Sequence, residues 1–129
     1  MTGWVLDASV VAELLFGTVR GRRIARLIQV GDLFAPQHLT AEVASVVRGW
    51  SLGGHISDDQ ARRAFEELEF LDIEQVPMLK LLPEVFALRH NLSAYDAMYV
   101  VLARKLGLQL LTLDARLARV ATDCALVPE

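Results

Sequence analysis

The 129-residue chain has few of the features that mark secreted or membrane-spanning proteins. It contains one cysteine, Cys124, so no internal disulfide can form, and we expect a reducing, cytoplasmic environment. No apolar run reaches the roughly 18–20 residues needed to cross a bilayer, although the mean hydropathy is positive at +0.36. The first residues, "MTGWVLDAS", lack the basic and apolar segments of a signal peptide. We therefore expect no membrane partner.

Lysine is also scarce. The only lysines are Lys80 and Lys105, the formal net charge is −3 and the isoelectric point is about 5.6. This net charge argues against a protein that coats nucleic acid through its total charge. It does not exclude an enzyme that acts on nucleic acid, because a local patch or a bound cation can override the total.

Short apolar runs alternate with segments of helical spacing along the chain. The runs that predict strands are 3–7, 32–36, 72–77, 108–114 and 124–129. The segments that predict helices are 8–16, 20–30, 39–53, 57–71, 78–91, 93–107 and 115–121. Strands separated by helices favour a parallel sheet covered on both faces. We expect residues 1–129 to form one α/β domain, a three-layer α/β/α sandwich with a mostly parallel central sheet of four to five strands.

Four acids fall where predicted helices begin. Asp7 and Asp114 end predicted strands and directly precede helices, whereas Glu42 and Asp96 lie in first helical turns. In an open parallel sheet, ligands bind beyond the carboxyl ends of the strands. The sequence therefore predicts that several of these carboxylates meet at one edge of the sheet.

Each of the four acids also has a purely structural explanation. Aspartate is favoured at helix N-caps, which suits Asp7 and Asp114. Ser93 and Asp96 have the spacing of a capping box, and Glu42 complements a helix dipole. These explanations weaken when taken together, because no lysine or arginine adjoins Asp7, Glu42 or Asp96, and a buried charge needs a partner.

A divalent cation resolves the repulsion between clustered carboxylates. Mg²⁺ prefers oxygen ligands, keeps several of its waters and takes only one or two carboxylates directly. Such a cation activates water near neutral pH and offsets charge on a phosphate under attack. An acidic pocket holding Mg²⁺ or Mn²⁺ therefore suits phosphodiester hydrolysis.

Three stretches carry a family resemblance, in order and over nearly the whole chain. "VLDASVVAELL", "LTAEVASVV" and "LSAYDAMYVVLARKLGLQLLTLDARLA" resemble the PIN-domain ribonucleases, and more narrowly the VapC-type toxins of bacterial type II toxin–antitoxin pairs. The resemblance implies a PIN-like fold and a Mg²⁺- or Mn²⁺-dependent endoribonuclease. It also implies a homodimer and a cognate antitoxin that blocks the site.

The same resemblance assigns roles to individual residues. Its catalytic and metal-binding acids match Asp7, Glu42, Asp96 and Asp114. A hydroxyl residue near the family's site matches Ser9 and Thr112 as supporting residues. Some members carry a further acid after the fourth one, but residues 115–117 here are Ala, Arg and Leu, so a metal position that uses it has no counterpart.

Other polar residues fit the site less directly. Arg22 and Arg26 lie four residues apart on one predicted helix face, where they would contact RNA or an antitoxin. A merely solvated helix surface explains them equally well. His38, His55 and His90 lack metal-ligand spacing, and we expect them in loops or at helix ends.

Two other functions fit the same class of fold. In a catalytically inert PIN-like binding module, the acids would be structural. A receiver-like signalling domain would need paired acids after the first strand, an aspartate after the third and a lysine near the fifth. Here Asp7 is a single acid, the strand 72–77 lacks a following aspartate, and no lysine follows Lys105. The sequence therefore favours the nuclease.

Overall fold

The computed structural model describes residues 2–129, in which strands and helices alternate. The strands are β1 (Gly3–Leu6), β2 (Asp32–Pro36), β3 (Glu74–Val76), β4 (Gln109–Leu111) and β5 (Ala125–Leu126). The helices are α1 (Ala8–Leu15), α2 (Val19–Leu27), α3 (Leu39–Leu52), α4 (Asp58–Phe70), α5 (Leu82–Ala87), α6 (Ala94–Leu106) and α7 (Ala115–Val120). A single 3-10 turn, Leu79–Leu81, precedes α5. No helix in residues 2–129 has the length and apolar character needed to cross a membrane.

All five strands belong to one parallel sheet in the order β3-β2-β1-β4-β5. The predicted α/β class and parallel sheet are confirmed. Strands β2 and β3 are added on one side of β1, whereas β4 and β5 lie on the other. The order of addition thus reverses between β1 and β4, and in open α/β sheets a ligand crevice forms at such a point.

The inner strands and helix α6 carry the core. Val5 and Leu6 of β1, like Leu110 and Leu111 of β4, are fully buried although neighbouring residues of a strand point to opposite faces. Both faces of the sheet are therefore covered, as expected for parallel strands. Helix α6 packs against β1, β2 and β4. Its buried residues are Ala97, Tyr99, Val100, Val101, Leu102 and Ala103.

Glycine sets the close approach of α2 to α1. A Cβ atom placed on Gly21 would lie 2.0 Å from the carbonyl oxygen of Glu13, closer than any real side chain comes. The helices can therefore pack this tightly only with glycine at this position. Ile24 joins Gly21 on the buried face of α2, and Arg22 and Arg26 remain exposed.

Several predicted boundaries were wrong. The helix expected over 78–91 splits into the 3-10 turn and the six-residue α5, because Pro83 fits only the first turn of a helix. Helix α2 ends at Leu27 rather than at 30. Strand β2 matches the predicted 32–36, but the other four strands are shorter than the apolar runs that predict them, so Asp7 and Asp114 follow β1 and β4 as helix N-caps.

Candidate active site

Asp7 is fixed at the carboxyl end of the central strand. Its backbone N–H donates to the carbonyl of Leu111 at 3.3 Å, which ties it to the end of β4. Its Oδ1 atom accepts hydrogen bonds from the N–H of Val10 at 3.1 Å and the hydroxyl of Ser9 at 2.5 Å. Both side-chain bonds end on Oδ1, so Oδ2 takes no part in the helix cap.

Asp114 is positioned by hydroxyl groups at the end of the neighbouring strand. Its backbone N–H donates to Oγ1 of the fully buried Thr112 at 3.0 Å. The hydroxyl of Ser9 accepts from the N–H of Leu113 at 3.2 Å, so Ser9 joins the ends of β1 and β4. The side chain of Asp114 caps α7 through Oδ1, which accepts from the N–H groups of Arg116 and Leu117.

Glu42 lies in the first turn of α3 and is held by two aromatic residues. The hydroxyl of Tyr99, in α6, donates to its Oε1 atom at 2.7 Å. The Nε2 atom of His38, the N-cap residue of α3, lies 3.3 Å from the same oxygen. Neither ring nitrogen of His38 forms a hydrogen bond of good geometry, so this second contact is looser than the bond from Tyr99. Glu42 is thus oriented mainly by the buried Tyr99.

Asp96 lies in the first turn of α6, whose N-cap is Ser93. The hydroxyl of Ser93 accepts from the N–H of Asp96 at 3.1 Å. Arg116 approaches from α7, with its Nη2 atom 3.7 Å from Oδ2 of Asp96. Arg116 is therefore a partner of Asp96 as well as a neighbour of Asp114 in sequence.

The four carboxylates line one pocket of about 510 Å³. They come from four different places: the ends of β1 and β4 and the first turns of α3 and α6. The remaining lining residues are Ala8, Ser9, His38, Ala41, Ser45, Val46, Tyr95 and Tyr99. The pocket opens at the carboxyl ends of β1 and β4, where the order of strands reverses.

The pocket concentrates negative charge, which Arg116 offsets only in part at Asp96. Burial raises the pKa of Asp7, and Glu42 adds to the rise, while the hydroxyls of Ser9 and Thr112 and the N–H of Val10 oppose it. Burial also raises the pKa of Asp96, and the charges of Asp114 and Glu42 raise it further. The hydrogen bond with Ser93 and the charge of Arg116 oppose this rise.

Glu42 behaves differently from the other two perturbed acids. Contact with His38 lowers its pKa most, and the hydrogen bond from Tyr99 helps, although partial burial opposes both. Burial and the bond to Glu42 raise the pKa of Tyr99, so its hydroxyl stays protonated and acts as a donor. Glu42 is therefore the acid that this environment best keeps ionised.

The donor set fits a hard divalent cation. The four acids supply only oxygen ligands, and burial with repulsion from neighbouring carboxylates disfavours the charges of Asp7 and Asp96 in the absence of a cation. Within residues 2–129 no three His, Cys, Asp or Glu side chains are close enough to form a ready-made coordination shell. Mg²⁺ needs only one or two direct carboxylates and fills its other positions with water, so a pocket lined by separated carboxylates suits it.

Comparison with known proteins identifies the family. The model of the PIN domain matches residues 4–123. The chain belongs to the PIN-domain family. Ribonuclease VapC1 of Mycobacterium tuberculosis is 39% identical over 116 residues, which cover 88% of this chain and 87% of the relative. Ribonuclease VapC3 of Pyrobaculum aerophilum is 36% identical over 119 residues, covering 88% and 91%.

Solved structures share the PIN-domain architecture at lower sequence identity. PAE2754 from Pyrobaculum aerophilum matches with a TM-score of 0.71 and 21% identity, over 96% of this chain and 83% of that one. A chain of a toxin–antitoxin complex from Klebsiella pneumoniae also has a TM-score of 0.71, with 15% identity and 97% of each chain covered. At these identities the matches support the fold.

The sequence singled out some residues of this PIN-domain pocket and missed others. The hydroxyl of Ser9 donates to Asp7, and the hydroxyl of Thr112 accepts from the backbone N–H of Asp114. Both hydroxyl groups lie where the family pattern placed them. Arg22 and Arg26 lie on the exposed face of α2 and do not line the pocket. The lining aromatic residues missed by sequence reasoning are His38, Tyr95 and Tyr99. Only the "YDAMY" pattern around Asp96 hinted at the two tyrosines.

Proposed function

We propose that this PIN-domain protein is a metal-dependent endoribonuclease and the toxin of a type II toxin–antitoxin pair. The observation that carries the proposal is the pocket itself, in which four carboxylates from separate elements meet at the reversal point of the sheet. A structural role as N-caps accounts for Asp7 and Asp114 singly. It does not account for Glu42 and Asp96 lining the same cavity.

Asp7, Glu42, Asp96 and Asp114 would hold the cation, Mg²⁺ or Mn²⁺. When bound, it supplies charge stabilisation at the phosphate and a nucleophile derived from water near neutral pH. The remaining chemistry belongs to the protein. Residues that fix the carboxylates hold their oxygens in defined positions around one pocket, and this fixed arrangement lowers the cost of reorganisation during hydrolysis.

Neighbouring side chains act on the acids one by one. Ser9 holds Oδ1 of Asp7 and the backbone beside Asp114, so it keeps these two acids in register. Tyr99 aligns Glu42 through a hydrogen bond to Oε1, and its hydroxyl keeps its proton. Arg116, beside Asp96 and largely exposed, offers a guanidinium group for a phosphate of the RNA backbone.

The toxin role draws on the relatives. Proteins at 39% and 36% identity over most of their length are named VapC ribonucleases, and a structural neighbour comes from a toxin–antitoxin complex. These names support an RNA substrate and a cognate antitoxin as partners. We extend the proposal to a homodimer, as the family resemblance implies.

Cleavage of RNA by the purified chain is the direct test. RNA should be cut in Mg²⁺ or Mn²⁺ and remain intact when EDTA is added, and a variant lacking all four carboxylates should cut nothing. Expression of the wild type should arrest bacterial growth, whereas expression of the four-acid variant should not. An inert binding module predicts instead no Mn²⁺-dependent rise in the melting temperature and identical behaviour of wild type and variant.

A further inference from the structure

Tyr95 is an exposed aromatic residue at the edge of the carboxylate pocket. It immediately precedes Asp96 in α6, lines the pocket and keeps 61% of its surface accessible. An isolated exposed tyrosine needs no explanation in a protein surface. This one is distinguished by its place beside the acids and by the rings that support it.

A series of three aromatic rings leads from the core to Tyr95. Tyr99 is 1% exposed and anchored by its bond to Glu42. The ring of His38 packs edge-on against Tyr99, with 5.0 Å between centroids and 62° between planes. His38 in turn packs against Tyr95 at 5.6 Å and 45°. Tyr95 is therefore supported from behind by a residue of another helix, which limits the freedom of its ring.

Exposed aromatic rings beside a phosphate-handling site suit the bases of single-stranded nucleic acid. Stacking on such rings tolerates any base, because every base has a π-face, and it requires a strand whose bases are not already paired. We propose that Tyr95 is a stacking platform for an unpaired nucleobase adjacent to the phosphate that reaches the carboxylates. The inference rests on the proposed ribonuclease function and names the form of its substrate, a single-stranded RNA segment.

The position of Tyr95 favours a base over a protein partner. The pocket that it borders holds four carboxylates, Asp96 being its neighbour in sequence, and a bound cation would draw a phosphate to them. The base of that nucleotide or of the next one must then lie near the pocket edge. An apolar side chain of a protein partner could make the same ring contact, but the acidic cavity would not attract it.

Fluorescence of 2-aminopurine tests the proposal, because stacking on an aromatic ring quenches it. The probes are uridine hexanucleotides with one 2-aminopurine at each position in turn, mixed rapidly with protein in Mg²⁺ and read before cleavage. Wild type and Tyr95→Phe should quench one position most strongly. Tyr95→Leu should lose that quenching and bind on the order of ten-fold more weakly.

Two controls separate stacking from a general defect. Phe70→Leu removes another exposed ring, 84% accessible at the end of α4, and should leave quenching unchanged. Replacing the quenched base by an abasic nucleotide should weaken binding to wild type about as much as Tyr95→Leu does, and should cost the leucine variant little. Cleavage by Tyr95→Leu should show a raised KM with a smaller change in kcat.

The outcomes distinguish this inference from the proposed function. RNA that is cut by wild type without position-specific quenching overturns stacking alone. Equal quenching by wild type and Tyr95→Leu also overturns it and leaves the ring as a surface for a protein partner. A wild type that neither binds nor cuts RNA overturns the nuclease function and the stacking platform together.

Discussion

The carboxylate pocket and helix α2 present opposite charges in very different ways. The acids of the pocket are each held by groups from the ends of strands, a neighbouring helix turn or a buried hydroxyl. Helix α2 carries Arg20, Arg22, Arg23 and Arg26, and none of them forms an ion pair within residues 2–129. The charges of the pocket are organised by tertiary contacts, whereas those of α2 are exposed to solvent.

The two regions differ in how their charges contribute to function. The effect of a pocket carboxylate depends on its exact position, whereas the effect of the α2 arginines depends on their total charge. Keeping a partly buried carboxylate with a raised pKa ionised costs electrostatic free energy, which is typical of functional sites. Activity at such a site depends on the position of the carboxylate to within about an ångström. An exposed arginine is mobile and screened by salt, and its contribution to binding resembles that of any neighbouring arginine. Substitutions in the pocket should therefore have large and specific effects, whereas those in α2 should have small and additive ones.

The largest expected effect comes from Asp96→Asn. Loss of its charge should reduce metal-dependent RNA cleavage at least about 100-fold, because both cation binding and alignment suffer. The melting temperature in EDTA should stay the same or rise, since repulsion from Asp114 and Glu42 is relieved. Initial cleavage rates and thermal melts measure the two effects.

Asp58→Asn is the matched control for this variant. Asp58 also lies in the first turn of a helix, α4, but outside the pocket. It should cleave like the wild type. If Asp96→Asn and Asp58→Asn were equally active, Asp96 would have only the helix-dipole role of Asp58. The proposal that Asp96 holds a catalytic cation would then be wrong.

A smaller effect is expected from Tyr99→Phe. The substitution keeps the buried ring but removes the donor to Oε1 of Glu42. Residues that orient metal-binding side chains typically contribute 10- to 100-fold to affinity, and we expect about ten-fold weaker Mn²⁺ binding. Titration of Mn²⁺ against the melting temperature measures it, with circular dichroism in EDTA as the check on folding. Unchanged Mn²⁺ affinity would mean that Glu42 does not hold the cation.

Acid should weaken cation binding before it unfolds the protein. The pKa values of Asp7 and Asp96 are raised above their ordinary value of 3.8, so protons compete with the cation at higher pH than for exposed aspartates. Without cation, the stability contributed by these two groups is largest below pH 3.8 and is lost as pH rises through their raised values. Glu42, whose pKa is lowered, contributes in the opposite sense.

The Mn²⁺-induced rise in melting temperature should therefore shrink as the pH falls from neutral towards 3.8, and the loss should begin above 3.8 because the pKa values of both aspartates are raised. The melting temperature in EDTA is recorded at each pH and subtracted, which removes the intrinsic pH dependence of the fold. A Mn²⁺ effect that stays constant across this range would show that the cation binds away from Asp7 and Asp96.

The sequence predicted the fold and the four acids because both depend on local patterns. Apolar runs predicted the strands, and the position of each acid after a strand or in a first helical turn followed from its immediate neighbours. Asp7 and Asp114 could be expected together only because parallel strands end at one edge. The roles of the four acids stay predictions until the variants are measured.

What the sequence did not reveal depends on contacts between distant residues. Tyr99 and Glu42 are 57 residues apart, and the apolar spacing of α6 gives no sign that the two side chains meet. Arg116 lies two residues from Asp114, yet its charged partner in the structure is Asp96. The split of 78–91 is an exception, because it follows from the local restriction that Pro83 places on a helix and not from a distant contact.

The smallest effects are expected on helix α2, where Arg22→Glu and Arg26→Glu test the solvated surface. If these side chains contact RNA phosphates, each change should weaken RNA binding a few-fold and lower the slope of log affinity against log salt by roughly 0.7. Arg89→Glu makes the same charge change on the segment after α5, outside the pocket, and controls for total charge. A slope lowered equally by all three substitutions would mean that only net charge matters. A slope lowered by Arg22→Glu and Arg26→Glu alone would make α2 an RNA-binding face that extends beyond the carboxylate pocket.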